Sequence, residues 1–125
     1  MKSMSREKMI EYALSRLSNN GISTSTYTLS NDRACVDLGS LTQEGNAYLL
    51  MDGAESFWLI IGGYFTVDFD YDEPGQRQII ENLCDMYAAY VTGEAQFVKR
   101  HGEHSSILWD GEDFDMSKMK RPLVY

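Results

Sequence analysis

Between Ala34 and Gln76 the sequence contains no lysine and no arginine. That segment carries eight acids: Asp37, Glu44, Asp52, Glu55, Asp68, Asp70, Asp72 and Glu73. The chain has 19 acids and 11 bases, so the other eleven acids are matched and the whole formal excess of −8 lies in this segment. A surface built only for solubility mixes both signs. A segregated field points instead to a cationic partner, and it argues against nucleic acid or an anionic membrane as the thing bound.

Other scarcities narrow the function classes. The two cysteines, Cys35 and Cys84, form neither CxxC nor a metal-like spacing, which argues against a disulfide scaffold or a zinc module and fits two reduced thiols in a cytoplasmic protein. No apolar run approaches the roughly 18 residues of a membrane span. Charges at Arg6, Glu7, Lys8 and Glu11 interrupt any signal-peptide apolar region. There is no GxSxG, and Gly62–Gly63 lacks the lysine of a phosphate-binding loop. The expectation is a protein that is not an enzyme and takes no cofactor.

What is present reads as a single domain over 1–125, with 116–125 as a surface tail. Met9, Ile10, Ala13, Leu14 and Leu17 recur at helical spacing after Ser5, a good N-cap residue, and "NNG" at Asn19–Gly21 ends that helix. Five β-like stretches follow, over Ile22–Leu29, "ACVDLGS", "NAYLLM", "SFWLII" and "FTVDFDYD", separated by turn signals that include "DGAE" at Asp52–Glu55. A second helix is expected over Gln76–Val91, with Ile79, Ile80, Leu83, Met86, Tyr87, Tyr90 and Val91 on one face. The fold class is therefore α+β: an antiparallel meander of about five strands, with both helices packed on one face.

The stretch Phe65–Gly75, "FTVDFDYDEPG", alternates strictly. As a strand it puts Phe65, Val67, Phe69 and Tyr71 on the core face, and Thr66, Asp68, Asp70 and Asp72 on the other as a comb of carboxylates roughly 7 Å apart. A three-residue loop, Gly62–Tyr64, would pair Ile61 with Phe65, Leu59 with Val67 and Phe57 with Phe69, and would bring Asp52 and Glu55 beside the far end of the comb. Two carboxylates at that spacing repel by roughly 0.6 kcal/mol in water. Protection of an edge strand is the plain reading of such a run. The absence of bases around it favours a contact surface made of Asp68, Asp70, Asp72 and Glu73, with Asp52 and Glu55 as neighbours and Tyr71 as an aromatic anchor.

Several motifs carry less. Asp68-x-Asp70-x-Asp72 resembles the start of a calcium loop, but Glu73 and Ile79 stand where that loop needs glycine and a bidentate glutamate. His101 and His104 of "HGEH" lack a third ligand, so no metal site is expected. Glu81 and Asp85 have the spacing of a helix-borne acid/base pair. Asp110, Glu112, Asp113 and Asp115 are compensated by Lys118, Lys120 and Arg121.

In its small size, acidic patch, α+β pattern, reduced thiols and missing catalytic set, the chain resembles the immunity proteins of bacterial contact-dependent inhibition and other polymorphic toxin systems. That resemblance implies a cytoplasmic antitoxin that binds one cognate toxin domain, often a cationic nuclease. Two other readings stay open: a small-molecule-binding or enzymatic α+β domain with a pocket between sheet and helices, and an adaptor that binds a partner helix through exposed Trp58 or Trp109.

Overall fold

The computed structural model describes residues 3–24, 26–53, 55–99 and 104–119. Helix α1 (Arg6–Asn19) starts where the sequence says it should: Ser5 is extended, and its Oγ accepts the Lys8 N–H at 3.2 Å. Strands β1 (Tyr27–Leu29), β2 (Arg33–Gly39), β3 (Ala47–Asp52), β4 (Ser56–Ile61) and β5 (Tyr64–Phe69) follow. Then come helix α2 (Glu73–Thr92) and strands β6 (Gln96–Lys99), β7 (His104–Trp109) and β8 (Glu112–Lys118). The class is α+β, but the meander of about five strands undercounts. The described residues form one eight-stranded antiparallel sheet in the order β1-β2-β3-β4-β5-β8-β7-β6.

The three added strands come from the part of the chain with the weakest local signals. Asp110 and Gly111, both at positive φ, make the two-residue turn that pairs Trp109 with Glu112. Such a turn matches the natural strand twist. In β8, Phe114 and Met116 face the helices, and Met116 is fully buried. The expected surface tail is therefore strand as far as Lys118, which pairs with Tyr64, while 120–125 lie outside the described residues.

The register of β5 differs from expectation by one residue. Gly62 and Gly63, at φ 54° and 86°, form a two-residue turn, so Ile61 pairs with Tyr64, Leu59 with Thr66 and Phe57 with Asp68. A slip of one residue turns every side chain to the opposite face. Tyr64, Thr66 and Asp68 therefore share the face of Phe57, Leu59 and Ile61, and Phe65, Val67 and Phe69 share that of Trp58 and Ile60. A glycine pair takes both positive φ values without a Cβ penalty, and it allows the tighter loop.

Both helices lie on the face carrying Phe57, Leu59 and Ile61. From α1 come Met9, Ile10, Ala13 and Leu17, and from α2 Ile79, Ile80, Leu83, Met86 and Tyr87, packed with Val36, Leu49, Met51, Ile107 and Met116. Each fully buried aliphatic or aromatic side chain contributes about 1.5–3 kcal/mol relative to exposure. On the other face a smaller cluster joins Cys35, Leu50 and Ile60 with half-buried Tyr48, Trp58, Phe65 and Met119.

A polar seam joins the helices. Arg16 grips Asp85 with two parallel bonds of 2.9 and 2.8 Å, and Asn20 adds a third at 2.8 Å. Tyr12 donates its hydroxyl proton to Glu81. Glu81 and Asp85 are thus taken up in holding α1 on α2, which is what their one-turn spacing serves here. The Arg16 guanidinium, against burial, holds the Asp85 carboxyl below its ordinary range. A depressed carboxyl stabilises the fold above its unfolded pKa, and that stabilisation is lost as pH falls through the lower folded value. Wild type should therefore lose urea resistance below about pH 4, and Asp85→Asn should start lower at neutral pH and show a shallower acid loss, read from midpoints across pH. An unchanged acid slope in the variant would show that the seam does not carry it.

Candidate acidic interface

Strand β2 begins, β3 ends, β4 begins and β5 ends at the same edge of the sheet, because successive strands are antiparallel. The connections at that edge hold the acids. Gly53 N–H bonds to the Asp32 carbonyl at 2.7 Å, which joins the β1–β2 turn to the β3–β4 turn. Asp70 N–H bonds to the Glu55 carbonyl at 3.0 Å, which joins the β3–β4 turn to the β5–α2 connection. Asp52, Glu55, Asp68, Asp70, Asp72 and Glu73 are therefore gathered at one end, as expected, and Asp32 joins them. Two acids of the base-free segment are elsewhere: Asp37 accepts the Gly39 N–H at 2.8 Å at a bulge, and Glu44 binds the Tyr90 hydroxyl.

The comb itself is not formed. Strand β5 stops at Phe69, so of the three aspartates only Asp68 lies in it, and on the helix side rather than opposite it. Asp70 turns inward. Its Oδ1 accepts the Asp72 N–H at 3.0 Å, and its carboxylate occupies the space a Cβ on Gly75 would take. Asp72 is the N-cap of α2 and Glu73 its first residue, with Pro74 next in the first turn, where a missing N–H costs nothing. These acids face the positive end of the α2 dipole, which offsets part of their mutual repulsion.

Among the described residues, two arginines reach this end. Arg33 pairs with Asp52 at 3.4 Å, and Arg77 with Glu73 at 3.6 Å. Among the described residues, Asp32, Asp68, Asp70 and Asp72 have no basic partner within ion-pair distance. The backbone that carries them is firmly held. The fully buried Gln76 side chain donates to the Asp70 carbonyl at 3.1 Å and accepts the Met4 N–H at 2.7 Å. A buried amide inside a helix is expensive unless its bonds are made, so Gln76 ties the chain start, the acidic connection and α2 into one unit.

The expected anchor Tyr71 is 70% exposed, and Phe69 is 58% exposed. Its alternation with aspartate predicts Phe69 in the core, as core against solvent. The two-residue turn places it on the helix-free face instead. Asp32 and Gln76 also belong to this end, and the alternation marks neither. Asp32 stands in the turn signal "SNDR", but its nearness to "DGAE" depends on the pairing of β2 with β3.

The remaining readings find these surroundings. Cys35 and Cys84 are buried and unpaired, and burial pushes their thiols up to about 11 and about 12. Among the described residues no group of three or more His, Cys, Asp or Glu is placed to hold a metal ion. His101 and Glu103 lie outside the described residues, and for His104 only the backbone, opening β7, is described. No helix among the described residues is long and apolar enough to cross a membrane. The space between the sheet and the helices is occupied by the packed core. Compared with known proteins, no family model matches the chain, and neither does any curated protein or solved structure.

Proposed function

We propose that this chain is an immunity protein: a cytoplasmic antitoxin that binds a cationic toxin domain and shields its working surface. The observation that carries the reading is the convergence of acids from three separate connections on one end of the sheet, where, among the described residues, two arginines pair with two of seven carboxylates. A nuclease fits as the toxin because its cleft must be basic to hold phosphate. An acidic surface is steered onto such a cleft and competes with the nucleic acid for it. The rigid backing by Gln76 and the Asp70–Glu55 bond supports the same reading, since a pre-ordered contact surface loses less entropy on binding.

The test is capture from the native cell with the tagged chain, followed by production of the captured protein alone and together with this chain. The expected result is a basic protein that arrests growth alone and is silenced when co-produced, in a complex that forms more slowly as salt rises. A neutral or acidic partner, a salt-indifferent complex, or growth arrest unrelieved by co-production would overturn the proposal.

A further inference from the structure

Phe69 and Tyr71 are large, exposed aromatic side chains, and they interleave with Asp68, Asp70 and Asp72 in a single short stretch. Scattered exposed apolar residues need no explanation. Here two aromatic rings stand within the most acidic part of the surface, on a backbone pinned by three hydrogen bonds. Phe69 also continues the apolar face of Trp58, Phe65 and Val67, with the Trp58 and Phe65 rings 4.9 Å apart.

We infer that this stretch recognises arginine: the cationic partner docks an arginine-rich segment on it, with guanidinium planes stacked on Phe69 and Tyr71 and their charge held by the acidic field of this end of the sheet. The inference rests on the proposal of a cationic partner and adds which cation. A guanidinium is planar, weakly hydrated and able to stack on a ring while donating to an acid. An ammonium is compact and strongly hydrated, so it gains less from an exposed ring. Charge complementarity alone would accept either; the rings separate them. The molecule already uses this combination internally, for Arg77 lies 4.8 Å above the Tyr12 ring while its Nε is 3.6 Å from Glu73.

The test uses two capped peptides, hexa-arginine and hexalysine, titrated calorimetrically into the full chain at low salt. Hexa-arginine should bind at least about three-fold tighter than hexalysine, since each stacked guanidinium contributes roughly two- to five-fold. Tyr71→Ala, outside the helices and strands, and Phe69→Leu, which keeps apolar bulk in the strand but removes the ring, should each lower hexa-arginine affinity more than hexalysine affinity and so shrink that preference. Equal affinity for the two peptides, or a preference that survives both substitutions, overturns the arginine assignment and leaves a cationic partner standing. Failure of both peptides to bind overturns the assignment and the electrostatic proposal beneath it.

Discussion

Gly62→Ala should lower the unfolding free energy by roughly 2–5 kcal/mol, a third or more of the total for a weakly stabilised domain. Two costs add. Gly62 has φ 54°, a conformation that a side chain makes unfavourable by about 1–2 kcal/mol. A Cβ there would also fall on the Glu44 carbonyl oxygen, 2.9 Å from its carbon and 3.0 Å from the Glu44 Cβ. The neighbour cannot simply swing aside. The Glu44 carboxylate is held by the Tyr90 hydroxyl, and the Gly62 N–H is bonded to the Asn46 carbonyl at 2.9 Å. Gly63→Ala is the control: its φ is 86°, but nothing lies within 4 Å of a Cβ built there, so only the conformational cost applies. Urea unfolding of the two variants checks this. Equal losses would mean that the loop holding Glu44 does not sit against the β4–β5 turn.

Asp68→Lys and Asp70→Ala should move stability in opposite directions. Asp68 is exposed and, among the described residues, has no basic partner within ion-pair distance, so reversing its charge removes repulsion from its neighbours and gains about 0.5–1 kcal/mol at low salt. Asp70 holds Asp72, the N-cap residue of α2, so removing its carboxylate loses the bond to Asp72 N–H and the favourable dipole contact, about 1–2 kcal/mol. Both substitutions should weaken hexalysine binding, Asp68→Lys by about tenfold at low salt and much less once salt screens the field. An acid that lowers stability while raising affinity is kept for what it binds. The contrast also selects the variants for partner studies: Asp68 tests the surface, whereas Asp70 tests surface and fold together. Loss of stability in Asp68→Lys, with peptide affinity unchanged, would remove the case for an acidic interface.

The gathered acids were legible in the sequence, but for a reason only half correct. Alternation in "FTVDFDYD" suggested a strand running to Asp72, with aromatics inward. Alternation reports that two faces differ; it does not say which one the helices cover. Phe65 packs on the smaller cluster behind the sheet, Val67 shares its face, and Phe69 reaches solvent. The last two strands carry a sequence signal: "WDGE" between "SSIL" and the alternating "DFDMSK" is a hairpin pattern. Its acidic and basic side chains made it look like a tail, because exposed positions of a half-buried strand are as polar as a loop.

Helix α1 with its Ser5 cap, the buried face of α2, the α+β class and the confinement of net negative charge to one segment follow from the sequence alone. Each depends on neighbours within a few residues or on composition. The register of β5, the number of strands and the meeting of Asp32 with Glu55 and Asp70 were decided by the tertiary structure. Those features depend on which strand lies beside which, and a single turn of two glycines rather than three residues reverses the faces of everything that follows it until the strand ends.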